Sequence, residues 1–176
     1  MLNALLASDW VSPSVDYHAL APEIVLGGGI VLLLLLDLFL SDAKKWVLTP
    51  VASFSLLGAF IPVLTIALNT DGARSLFDGR YVVDDFSLVL KALFILAGYV
   101  VVLLSADHIR EGNYYQGEYW FLMLSSILGM VMMASSRDLV SIFVSLEFLS
   151  IPAYMLAAWR KRDPKSNEAG IKYYLL

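Results

Sequence analysis

Apolar residues in this chain come in long, nearly unbroken runs, without the alternation of a half-buried strand or the single stripe of a surface helix. A helix needs about 20 such residues to cross roughly 30 Å of hydrocarbon. Five runs reach that length, over residues 22–40, 46–68, 86–105, 119–135 and 139–159, and a sixth begins near residue 167 and stops at Leu176. The pattern predicts an all-α, polytopic transmembrane helix bundle with five complete helices and the start of a sixth. Residues 1–21 precede the first helix as an outside segment, and residues 22–176 form one membrane domain. Ten residues cannot cross a bilayer, so the chain reads as a fragment of a longer one.

The boundaries have local causes. Pro22 suits a first helical turn, where its missing N–H is not needed, and Ser41 to Lys45 closes the first helix before Trp46 at the next interface. The Asp71-Gly72 and Asp78-Gly79 dipeptides favour positive φ and mark turns. Tyr114, Tyr115, Tyr119 and Trp120 precede the fourth helix as an interfacial aromatic belt would. Arg74, Arg80 and Arg137 fall on the N-terminal side. Lys44, Lys45, Arg110, Arg160, Lys161, Arg162 and Lys165 fall on the other, which the positive-inside bias places in the cytoplasm. The N-terminus is then outside.

Composition agrees with a lipid-embedded chain: of 176 residues, 59% are hydrophobic and 16% charged, against about 25% charged in soluble domains. A net charge of −4 is small and scattered, so no nucleic-acid partner is indicated. Cysteine is absent, which excludes disulfides and thiolate-held metals or clusters within this chain. His18 and His108 lie too far apart in sequence to suggest a metal site. The first twenty residues carry Asp9 and Asp16 and no basic residue, unlike the n-region of a cleavable signal.

The candidate chemistry centres on Glu147, in the fifth apolar run. An ionisable carboxyl at membrane depth costs between roughly 3 and more than 10 kcal/mol. Ser150 and Tyr154 share its helical face, and Pro152 opens the backbone ladder by failing to donate to Phe148. Two readings stand: a protonated, hydrogen-bonded structural Glu, or a proton or cation site. Lys172 likewise is either an i,i+4 partner of Glu168 that snorkels to the surface, or part of a charged path through the membrane. Lys91, near the outer end of the third helix, is expected to snorkel or to pair with Asp84 or Asp85. Asp37 is expected to meet Lys44 or Lys45. Gly27-Gly28-Gly29 lacks the Lys-Ser/Thr of a phosphate loop and predicts close helix packing, as does the Ser125–Gly129 spacing. Met130, Met132 and Met133 read as core filler.

Tyr119 to Gly129, Arg137-Asp-Leu139, Leu146-Glu-Phe-Leu-Ser150 with Tyr154, and Glu168-Ala-Gly-Ile-Lys-Tyr-Tyr174 together resemble the antiporter-like subunits of respiratory complex I. Pro22-Glu-Ile-Val-Leu26 with Asp37 is most similar to the start of the subunit N type, subunit 2 in organelles. The resemblance implies part of an inverted-repeat fold and a proton-translocating membrane-arm subunit of NADH:quinone oxidoreductase. Glu147 would be the carboxyl of that machinery and Lys172 its helix-six lysine, supported by Ser150, Pro152 and Tyr154. The same resemblance implies that NADH, FMN, iron–sulfur clusters and quinone belong to partner subunits and none to this chain. It implies a multi-pass protein of a bacterial plasma membrane, contacting lipid and other membrane-arm subunits. A fragment alone would not pump. The rival readings are a subunit of a multisubunit cation/proton antiporter or membrane-bound hydrogenase, and a non-transporting helix bundle.

Overall fold

A computed structural model describes residues 15–69, 72–111, 116–160 and 163–175. The readings made on Asp9, Asp71, Tyr114, Tyr115, Lys161 and Arg162 lie outside them. Six α-helices follow one another: α1 (Ala21–Phe39), α2 (Leu48–Leu68), α3 (Asp85–Glu111), α4 (Gln116–Ser135), α5 (Leu139–Ala157) and α6 (Pro164–Leu175). A 3₁₀ turn, Asp42–Val47, joins α1 to α2, and a hairpin of β1 (Arg74–Leu76) and β2 (Tyr81–Val83) joins α2 to α3. Helices α1 to α5 are long and apolar enough to cross a membrane, and the protein is a polytopic helical bundle.

Helix α4 is the centre, packed against α1, α2, α3 and α5. Of its spanning segment 56% is buried, against 11% for α5. On α1 the inward stripe is Pro22, Leu26, Gly29, Ile30 and Leu33, while Ile24, Val31, Leu34, Leu35 and Leu38 face outward. Helix α2 turns Leu48, Ala52, Leu56, Ala59, Val63 and Ile66 inward. Both stripes follow the helical repeat and leave an apolar outer surface suited to lipid.

Small residues set how closely the helices approach. A Cβ on Gly129 of α4 would lie 2.5 Å from the backbone nitrogen of Leu149 on α5. Ser126 strengthens that seam by donating to the Leu149 carbonyl at 3.1 Å. Ser125, in contrast, bonds the Phe121 carbonyl of its own helix. Within the Gly27-Gly28-Gly29 run only Gly29 supports close packing, against Ser55, because Gly27 and Gly28 face open space. Met130 and Met132 pack on the core.

The connection after α2 is more ordered than a simple turn. Arg74 pairs with Val83 and Leu76 with Tyr81, and the reversal uses left-handed backbone at Phe77, Asp78 and Gly79. Helix α3 then starts with a reciprocal cap. The Ser87 N–H donates to Asp84 Oδ1, and Ser87 Oγ accepts the Asp84 N–H, each at 2.9 Å. This pattern satisfies two donors that a helix start leaves open. Helix α3 continues to Glu111, past the apolar run that ends at residue 105, because its polar last turns need no hydrocarbon.

Candidate functional site

Glu147 is the ninth of nineteen residues in α5, so its carboxyl starts near mid-membrane. The side chain is half-buried. Among the described residues it makes no hydrogen bond or ion pair, and neither does Ser150. Phe143, Val144 and Ile151, one turn to either side, are exposed. Helix α5 buries only Ser145 and Pro152, on the side turned to α4. Glu147 therefore lies at the edge of a face that these residues leave uncovered.

Tyr154, two turns beyond Glu147, is covered by α6, the helix that carries Lys172. The Tyr154 ring meets Tyr173 and Tyr174 of α6 edge-on, at centroid distances of 4.9 and 5.7 Å. Gly170 lets α6 approach α5 at Ala158, where a Cβ would come within 2.4 Å. Lys172 is exposed and bridges to Glu168 on its own helix. The structure thus brings Tyr154 to α6 but does not join Lys172 to Glu147.

A second polar cluster forms at the N-terminal end of the bundle. Lys91, two turns into α3, is fully buried, and its Nζ lies 2.7 Å from Glu23 Oε1 in the first turn of α1. This corrects the expected snorkelling or pairing with Asp84 or Asp85. Asp84 instead caps α3 and bridges to Arg137. Tyr81 of β2 completes the group: its hydroxyl donates to Glu23 Oε1 at 2.6 Å and accepts from Lys91 Nζ at 3.4 Å. The Lys91 ammonium also sits 5.2 Å from the centre of the Tyr81 ring, within cation–π reach. Glu23 Oε2 is buried with no hydrogen-bond partner. Burial, reinforced by the adjacent Glu23 charge, pushes the Tyr81 phenol well above its ordinary range and keeps it protonated.

Sequence reasoning missed Glu23 and Tyr81 as partners of Lys91. One signal was present: an acid in the first turn of one apolar helix and a base early in another, both entering from the same side.

The hairpin is tied down around this cluster. The Arg137 N–H donates to the Arg80 carbonyl at 2.8 Å, and Tyr81 bridges to Ser136 at the end of α4. The Ser87 N–H, with help from Arg137, holds the Asp84 carboxyl below its usual value. Asp16 is likewise lowered, by the Ala19 N–H first and by Arg74. At the opposite end Asp37 pairs with Lys45 at 3.3 Å, as expected. Gly117 abuts that carboxyl, since a Cβ there would come within 2.1 Å of it.

Comparison with known proteins extends the picture. Residues 136–176, from the end of α4 through α6, match the family model described as NADH:quinone oxidoreductase/Mrp antiporter, TM. NAD(P)H-quinone oxidoreductase subunit 2 of Synechococcus elongatus is 36% identical over 170 residues, covering 92% of this chain and 32% of that protein. NADH-quinone oxidoreductase subunit N of Beijerinckia indica is 34% identical over 164 residues, covering 93% and 34%. A chain of respiratory complex I from Thermus thermophilus, solved with bound aureothin, superposes with a TM-score of 0.69 at 29% identity, covering 88% of this chain and 32% of that one. The chain spans about a third of the length of the curated relatives it matches.

Proposed function

We propose that this chain, which is similar to the antiporter-like subunit N proteins of NADH-quinone oxidoreductases over the third of their length that it spans, is part of a proton-translocating membrane subunit. In this reading Glu147 takes up and releases protons as the field around it changes. Quinone reduction would occur in other subunits of the complex. NADH, flavin, iron–sulfur and quinone chemistry would stay there, and coupling would reach this subunit as shifts of buried charge.

The observation that carries the proposal is the placement of the Glu147 carboxyl. It lies midway along an apolar spanning helix, half-buried and, among the described residues, unpaired, on a face that those residues leave uncovered. A carboxylate in that position is stable only when a cation or water faces it, and becomes an acid when the cation withdraws. Its protonation is therefore set by whatever packs there, which is the property a pump needs. Ser150, half-buried on the same face, supplies a hydroxyl that accepts or donates. Tyr154 holds α5 against α6 through its ring contacts, and Pro152 leaves the Phe148 carbonyl without its helical donor. Lys172 contributes through its pair with Glu168, as a charge near the α6 surface. The N-terminal end, with Arg74 and Arg80, would face outward from a bacterial plasma membrane, with Lys44 and Lys45 inside.

The test is Glu147→Gln in the full-length subunit, assembled with its partners in membrane vesicles. Glutamine keeps shape and hydrogen bonding but cannot release a proton. Proton translocation per assembled complex should be lost; full pumping by this variant would overturn the reading. The family model also names the Mrp antiporter, which supports a second reading as a cation/proton antiporter subunit. Sodium-dependent transport in the same vesicles without quinone reduction would select that one.

A further inference from the structure

Building on the proton-translocating reading above, we propose that Glu23 and Lys91 form a second proton-transfer site, separate from Glu147, that exchanges protons with the aqueous phase at the N-terminal face. Lys91 is completely enclosed, and among the described residues its polar contacts are one acid and one phenol. A buried ion pair is weak evidence of a stabilising role, because apolar residues of similar size often serve a core as well or better. The geometry favours transfer. The 2.7 Å contact between Lys91 Nζ and Glu23 Oε1 lets a proton move without rearrangement of either side chain. Glu23 is the less enclosed of the two side chains, 11% exposed against 0% for Lys91, so the carboxyl is the member of the pair that reaches water.

The position is suitable as well. Glu23 is in the first turn of α1 and Lys91 early in α3, so the pair lies shallowly beneath the hairpin end. Tyr81 roofs it with a hydroxyl that both accepts from Lys91 and donates to Glu23. Ser135, whose buried hydroxyl lies beside Tyr81, precedes Ser136, and Ser136 Oγ is 3.3 Å from Ser145 Oγ on α5.

The transfer balances. The Lys91 N–H bond breaks and an O–H bond forms at Glu23 Oε1, turning ammonium and carboxylate into amine and carboxylic acid. The acid releases its proton to water at the N-terminal face. The amine is reprotonated through its other contact, the Tyr81 hydroxyl, which gives its proton to the nitrogen as its oxygen takes one from hydronium, and this restores the pair.

The experiment uses the full-length subunit in its assembled complex, in membrane vesicles, with proton translocation normalised to assembled complex. Lys91→Arg keeps the positive charge and the ion pair, but arginine does not give up a proton in a protein. A several-fold loss of translocation in Lys91→Arg and Glu23→Gln, with recovery in Glu23→Asp, is the expected result. Wild-type translocation by Lys91→Arg or by Glu23→Gln overturns the proposal. If Lys91→Arg does not assemble, the contrast between Glu23→Asp and Glu23→Gln decides. Failure of all three to assemble overturns it, since a purely structural pair predicts that. Glu147→Gln separates the two ideas. Its loss of pumping beside a normal Lys91→Arg sinks only the second site, whereas its normal pumping sinks the primary reading.

Discussion

Glu23 and Glu147 are both carboxylates in apolar helices, and the bundle treats them in opposite ways. Glu23 finds its cation inside the chain, holding Lys91 and the Tyr81 hydroxyl on one oxygen beneath a hairpin. Glu147 has no described partner and sits on a helix that buries only Ser145 and Pro152. The difference follows from where each helix lies. Helix α1 is packed against both α2 and α4, so a charge turned inward must be satisfied within the chain. Helix α5 packs on α4 and, near its C-terminal end, on α6, so a charge midway along its flank has no described neighbour to complete it. Glu23 is consequently bound to local stability as well as to its proposed chemistry, whereas Glu147 has no described polar contact whose loss would cost the fold.

That contrast is breakable by substitution. The largest effect on stability should come from Lys91→Met. It leaves the Glu23 carboxyl buried without its cation and should destabilise the bundle by about 3–5 kcal/mol. Adding Glu23→Leu to Lys91→Met should recover most of that loss, which thermal unfolding in detergent would measure. No recovery would mean that the pair is more than a satisfied charge in the fold. Next comes Gly129→Ala, whose Cβ would press into the α5 backbone at Leu149. A cost of about 1–3 kcal/mol is expected, as for other overpacked cores. Gly28→Ala, in open space, should be neutral or slightly stabilising, since alanine is the better helix former.

Asp84→Ala removes the α3 cap and should cost about 1 kcal/mol, the usual value of an N-cap. Its pH dependence has a definite sign. The folded carboxyl is held below its ordinary value, so its contribution is present above about pH 4 and is lost as pH falls through the lowered folded value. Acid unfolding of wild type should therefore begin to converge with that of Asp84→Ala below about pH 4. The smallest stability change belongs to Glu147→Gln, within about 0.5 kcal/mol, although it should abolish proton translocation. A large unfolding effect from Glu147→Gln would erase the contrast with Glu23.

The run lengths of apolar residues by themselves determined the spanning helices, because the demand of a 30 Å hydrocarbon layer is one-dimensional and is met by counting. The same reading singled out Glu147, since one acid in an apolar run is visible without knowing its neighbours. The Asp37–Lys45 pair was legible too, lying within a few residues of one helix end. Which face of each helix turned inward was not legible. Runs apolar on all sides carry little angular signal, so Gly29 could not be separated from Gly27 and Gly28, nor Ser126 from Ser125. The Glu23–Tyr81–Lys91 group depends on α1, α3 and the hairpin meeting at one end, with partners 58 and 10 residues apart in sequence. Such a group exists only once the helices have packed, because a buried ammonium selects whichever acid the tertiary fold brings within reach, not the nearest one along the chain.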